Sequence, residues 1–407
     1  MMRRRSSWFV AVVALAATAG IGPVDAAGQI EFSGQLDLVG VARGDGPELN
    51  QGFRGDGPFN AVRLKLFARR WVTDRIGIFA ELLYDVDAAA RVNGAYVVVN
   101  DLMGGPWLNA RLGLAPNVVG SFGQRSTYFN VNPLIGVPLV WSYRTNLGGS
   151  GTNTAAGLTT ATGEPGGGMP ILYDSCWNVQ WELLGEIGRF EYSVGMTPGS
   201  MSNPIRSRAV KGSTWMARVG FAPVPSVRLG LSAAEGPYLS APTLDAAGNP
   251  PYAEDPSDFD QRLHGVDVAY QAGSWLVHSE AYRVVWEAPL VSDDLEAFGG
   301  YVELRFDFLP GWYVAGRLDG LQFSDIATGP QAGTRAPWDQ DTRRTEVALG
   351  YRLAREVLLK LDWQRTTAPD VGFGRGFREP EGGGRETLRR RLCGRVSGRP
   401  RDGARGG

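Results

Sequence analysis

Charged residues stand at every second position along many stretches of this 407-residue chain, with apolar residues between them. In VRLKLFARRWVTDRIGIFAELLYDVD, residues 62–87, Arg63, Lys65 and Arg69 are followed, after Thr73–Arg75, by Glu81 and Asp85. The same parity selects Arg111, Glu182, Arg218, Glu303, Arg305, Asp307, Arg317, Asp319, Lys360 and Asp362, and with them Arg228, Asp267, Arg344, Glu346 and Arg352. On a strand such residues share one face. Burying them unpaired would cost several kcal/mol each, so that face must meet bulk water or a water-filled channel. The chemistry open to them is electrostatic, acting on a passing ion or dipole. Opposed bands such as Arg63/Lys65 against Glu81/Asp85 would set a transverse field. A lattice of interior ion pairs is an equal alternative.

Catalytic side chains are sparse. The two histidines, His264 and His278, leave little room for a histidine-rich metal site, and Cys176 and Cys393 lie too far apart in sequence for a disulfide framework. If Ala272-Gly273 forms a two-residue turn, His278 falls opposite Asp267, and such a pair can orient a nucleophile. No serine is fixed beside it, because Ser279 has the opposite parity. A hydrogen bond inside the lumen is the expected role of the pair. No phosphate cradle, metal cluster or nucleic-acid motif stands out. The chain therefore reads as not an enzyme, with no cofactor, no metal and no nucleic-acid partner.

The elements that position these charges are strands. Alternation marks one apolar and one polar face. It is clear at 29–42, 62–87, 107–116, 176–186, 301–308 and 357–365, and weaker segments bring the total to about fifteen. The connections fall into two classes. Short ones recur at 73–75, 102–106, 188–189, 222–226, 272–274, 309–311 and 354–356. Long ones occupy 43–58, 117–174, 199–212, 237–260, 288–295 and 325–341, and only 88–91 breaks the pattern. Turns on one side and loops on the other are the signature of a transmembrane antiparallel up-and-down β-barrel. Phe190, Tyr192, Phe221, Phe308 and Trp312 lie on the apolar parity near short turns, where an interfacial girdle sits, whereas Trp71 and Trp107 fall on the polar parity. The long segment 117–174, with Arg125 and Arg144, either folds into the lumen as a constriction loop or stays outside.

Residues 1–26 have the layout of a secretory signal peptide: Arg3–Arg5, an apolar run from Trp8 to Ala19, then small residues. No later run is long enough for a spanning helix. Residues 27–368 carry 28 basic and 36 acidic side chains, a net of −8, while 369–407 carry 10 arginines against 5 acids. That Arg/Gly-rich tail has no alternating strand. A closed barrel needs an even strand count, so the expectation is a 16-stranded barrel whose last strand is missing or altered here, with a frame-shifted tail or a disordered basic extension as the alternatives.

Residues 107–147, WLNARLGLAPNVVGSFGQRSTYFNVNPLIGVPLVWSYRTNL, resemble porins of the phosphate-selective type and their uncharacterised relatives. YSVGMTPGSMSNP (192–204), LGLSAAEGPYL (229–239) and FGGYVELRFDFLPGWYVAGRLDGLQFS (298–324) are similar to the same group. The resemblance implies a porin-like barrel in the outer membrane of a Gram-negative cell. It does not imply phosphate, because Lys65, Lys211 and Lys360 are scattered and the barrel is net acidic. The expected activity is passive diffusion of small hydrophilic solutes or ions. The expected partners are outer-membrane lipid and those solutes, with a homotrimer as the open assembly. The alternatives are a barrel enzyme and a structural or receptor barrel without a conducting pore.

Overall fold

The computed structural model describes residues 30–38, 62–85, 90–123, 131–159, 168–173, 177–202, 212–240, 249–328 and 334–367. The signal-peptide segment, Arg125 and the basic tail lie outside the described residues.

Fifteen strands form one sheet in chain order. They are β1 (Glu31–Leu38), β2 (Val62–Trp71), β3 (Ile76–Asp85), β4 (Arg91–Val99), β5 (Asn109–Pro116), β6 (Trp177–Ile187), β7 (Phe190–Thr197), β8 (Thr214–Val224), β9 (Val227–Pro237), β10 (Asp260–Ala272), β11 (Trp275–Trp286), β12 (Leu295–Leu309), β13 (Trp312–Phe323), β16 (Thr342–Ala354) and β17 (Val357–Thr367). A separate two-stranded hairpin, β14 (Asp325–Ala327) and β15 (Arg335–Pro337), stands in the long connection between β13 and β16. Neighbouring strands of the large sheet are antiparallel throughout. Among the described residues β1 pairs only with β2 and β17 only with β16, so the sheet is not closed. The short and long connections alternate as the sequence predicts.

The parity rule governs both faces. Leu66, Leu231 and Leu318 point outward and are 48%, 65% and 64% exposed, while Lys65, Glu182 and Arg317 point inward and are 0%, 3% and 2% exposed. A soluble protein does the reverse, so the outer face is built for hydrocarbon. No helix among the described residues is long and apolar enough to cross a membrane. Paired rings ride the outward face beside short turns: Phe190 stacked on Phe221 at 4.8 Å, Trp275 tilted against Phe306 at 4.4 Å and Trp312 stacked on Tyr351 at 4.3 Å. Rings with an apolar body and one polar edge suit that water–lipid boundary.

Candidate functional site: the lumen and its inserted segment

The interior is organised by a segment without regular strand structure. Pro133 and Pro138 bracket LIGV in residues 131–138, and a proline can neither donate to a ladder nor continue a helix. The backbone groups between them need other partners. Inward side chains of the far wall supply these. Asp362 on β17 accepts from Ile135 N at 2.9 Å, Glu346 on β16 from Gly136 N at 2.6 Å, and Asp319 on β13 from Leu139 N at 3.0 Å. In the other direction Lys360 donates to the carbonyls of Asn132 and Leu134, Tyr313 to Pro133 O and Arg344 to Val137 O. The segment connecting β5 to β6 thus runs inside the sheet, the first of the two arrangements the sequence left open.

Glu280 on β11 holds the start of the same segment. One carboxylate oxygen accepts from Ser121 N at 2.6 Å, Phe122 N at 2.7 Å and Ser121 Oγ at 2.8 Å, and the other from Trp141 Nε1 at 2.8 Å. Gly120 has φ +67, and a Cβ there would strike the Tyr282 hydroxyl, so a side chain is excluded on two counts. Around these polar contacts Val119, Phe122, Val140, Trp141 and Leu172 of the segment pack with inward Leu263, Tyr282, Val284 and Leu321 of the wall into one buried cluster. Outside the strands, buried Asp339 accepts from the Tyr143 hydroxyl and Asn146 N. Burial pushes its pKa up to about 6 against the pull of those donors.

The β5–β10 side is different. Here inward charges pair with one another. Arg218 on β8 reaches Asp267 on β10 through two hydrogen bonds, Nε at 3.0 Å and Nη2 at 2.8 Å, and Glu191 on β7 at 2.5 Å. It crosses β9 over Gly230, where a Cβ would collide with the Asp267 carboxylate and the guanidinium. Arg111 lies 3.3 Å from Glu182 and 5.4 Å over the Tyr96 ring. Arg111, Glu182, Glu191, Arg218 and Asp267, with His278, Arg228 and Glu186, line a cavity of about 590 Å³ whose remaining walls include Gly120 and Ser121 of the inserted segment.

Most of the predicted lumen residues do face inward. Arg63, Lys65, Glu81, Glu182, Glu303, Arg317, Asp319, Lys360 and Asp362 are all buried there. Arg317 binds Glu303, Asp319 and Glu346 together. Arg305 joins Asp307 at 2.9 Å and lies 4.2 Å over the Tyr313 ring. Arg69 is paired at the exposed edge with Glu31. Arg144 donates to Gly168 O within the inserted segment.

Two expectations are corrected. Arg63 and Asp85 are register partners on adjacent strands, as are Phe67 and Glu81, so these bands share one wall and cannot oppose each other across the lumen. His278 lies opposite Ala269, because the turn falls at Gly273–Ser274 and moves the register by two residues. Its Nδ1 is 3.5 Å from Glu303, while Asp267 is taken up by Arg218. Glu280 and Asp339 were missed. Glu280 shares the parity of His278 and could have been found; nothing in the sequence pattern points to Asp339. Among the described residues no three His, Cys, Asp or Glu side chains converge as a metal site.

The comparisons bear on the fold. Outer-membrane expressed OmpT of Vibrio cholerae aligns at TM-score 0.50 with 13% identity, over 85% of this chain and 89% of that one. The fold is that of an outer-membrane β-barrel. The outward belt of exposed apolar side chains is the surface such a barrel turns to lipid. An anion-selective porin from Comamonas acidovorans aligns at TM-score 0.49 with 10% identity over 88% of this chain and 89% of that one. The outer membrane channel DcaP of Acinetobacter baumannii aligns at 0.46 with 10% identity over 85% and 99%. No protein-family model matches the chain, and no curated protein matches it.

Proposed function

We propose that this barrel conducts small hydrophilic solutes or ions by passive diffusion through a lumen narrowed by the inserted segment 117–174. One observation carries the reading: the cavity of about 590 Å³ is walled by Arg111, Glu182, Glu191, Arg218, Arg228 and Asp267, a charged lining that only water or a polar solute can fill. Both signs are present and largely paired, which favours a weakly selective passage. Mutual pairing also makes the barrel charges tolerable in a narrow space. Arg228 is an exposed cation with no ion-pair partner among the described residues, so it is the lining charge freest to meet a solute.

Lipid is the partner that the outer belt supports, and solute or ion the one that the lumen supports. A homotrimer would cover part of the belt with further copies, which mass measurement in detergent decides. A second reading has its own support: the apolar cluster of the inserted segment fills much of one side of the interior, as in a barrel that does not conduct. Reconstitution into planar bilayers separates the two. Discrete current steps that scale with salt concentration are the expected result, and bilayers that contain the protein but pass no current would overturn the channel reading.

A further inference from the structure

The charges around the cavity do not all cancel. Arg111 faces Glu182 at 3.3 Å, and Arg218 joins Glu191 and Asp267. That uses five of the seven carboxylates and guanidinium groups in the lining. The two left over are Glu186 on β6 and Arg228 on β9. Each is exposed, and its side chain makes no hydrogen bond or ion pair among the described residues. A cavity with one spare carboxylate and one spare guanidinium presents a dipole to whatever enters it.

The register fixes where the two stand. Glu186 is the partner of Glu191, and Gly220 lies opposite Glu191 on one side and Gly230 on the other. Gly230 in turn faces Asp267. The Glu191–Arg218–Asp267 bridge lies flat over both glycines: a Cβ at Gly220 would strike Glu191, and one at Gly230 would strike Asp267 and Arg218. The bridge is therefore a low floor. Glu186 stands beyond one end of it, and Arg228, two residues before Gly230, stands beside the other. Three strand steps separate their backbones, roughly 14 Å at about 4.8 Å per step. Arg228 also faces Ala269, and Ala269 faces His278. The small methyl group between those two larger side chains leaves a notch in the lining. His278 forms its other side, with Nδ1 3.5 Å from Glu303 and no hydrogen bond there.

We propose that this cavity selects small zwitterions: amino acids and short peptides with free ends. The carboxylate sits over Ala269 against Arg228, and the ammonium group sits toward Glu186. Recognition of a carboxylate by a guanidinium supplies the stronger of the two contacts. A dianion would satisfy Arg228 with one group and be repelled by Glu186 at the other, and a dication meets the reverse. At about 3.5 Å per extended residue, two residues hold the end charges roughly 7 Å apart, a span that lies within the interval between the two strands. The assignment rests on the reading of this cavity as the solute path, but its test needs no current.

Calorimetric titration of the full chain folded in detergent uses three probes. They are glycylglycine, its N-acetyl form, which keeps only the negative end, and its C-terminal amide, which keeps only the positive end. One-to-one binding of glycylglycine, about fivefold or more tighter than either capped form, is the expected result. Arg228→Gln should abolish the preference for a free carboxylate and keep that for a free amine, and Glu186→Gln should do the opposite. Both side chains are exposed and make no contact that the fold needs, so the variants should fold as the parent does. No binding of glycylglycine by the folded parent, equal binding of a capped form, or variants that keep both preferences would overturn the proposal. Selective binding with silent bilayers would overturn the channel reading alone; conducting bilayers without binding would overturn the zwitterion site alone.

Discussion

The β11–β17 wall and the β5–β10 wall are written in the same alternating code but spend their inward charges differently. On the first, Glu280, Asp319, Glu346 and Asp362 each accept a hydrogen bond from the inserted segment. On the second, Arg111 lies 3.3 Å from Glu182, and Arg218 binds Glu191 and Asp267, all of them neighbours on the wall itself. A carboxylate facing the proline-bracketed backbone becomes a clamp even where, as at Asp319 and Glu346, it also binds Arg317. One facing open space has only its wall neighbours and becomes lining. Parity decides that a charge points inward; what it meets there decides its role.

The contrast predicts a graded set of effects. Glu280→Ala should be the most damaging, because it strands Ser121 N, Phe122 N and Trp141 Nε1 without an acceptor. At about 1–3 kcal/mol per stranded buried donor, urea titration of the reconstituted protein should record a loss of more than about 3 kcal/mol. A loss below about 1 kcal/mol would mean that the clamp is ornamental. Arg218→Ala, on the lining wall, should cost less, about 2 kcal/mol, because cavity water can re-solvate Asp267 and Glu191. Its larger signature is functional: removing a cation from the lining should raise cation over anion permeability in a reversal-potential measurement. Gly230→Ala keeps every charge but sets a methyl group under the Arg218–Asp267 bridge, and a loss of about 1–2 kcal/mol with a smaller selectivity change in the same direction is expected.

The smallest effect concerns pH. Asp339 has its folded pKa raised to about 6, so its protonated form is favoured in the folded state. Its contribution to stability is fully present below the ordinary carboxyl value of about 3.9 and is lost as pH rises through about 6. Between pH 7.5 and pH 5.5 this group should add about 1 kcal/mol. Asp339→Asn should flatten that part of the profile, because it removes the titrating group, while its single oxygen can still accept from one of the two donors, Tyr143 Oη or Asn146 N. A pH profile identical in variant and parent would remove Asp339 from the account.

Much of the fold was readable because its cause is local. Alternation at Val302, Leu304 and Phe306 against Glu303, Arg305 and Asp307 needs only the period of a strand in contact with lipid on one side. The two classes of connection are visible for the same reason. The clamp was not readable, because its partners lie 139 to 227 residues apart and one partner is an aperiodic loop. His278 shows how small an error matters. Moving the turn by one residue, to Gly273 with φ +55, carried its partner from Asp267 to Ala269. The transverse field failed for a related reason: hairpin neighbours share a wall, and sequence charge bands alone do not say which strands face each other.

Single-channel conductance of the full chain beside Glu280→Ala, in the same planar bilayer, bears most directly on a wet lumen narrowed by a clamped segment. Discrete, ohmic openings in the parent and a larger unit step in the variant are predicted. Silence from both proteins, or steps of equal size, would contradict it.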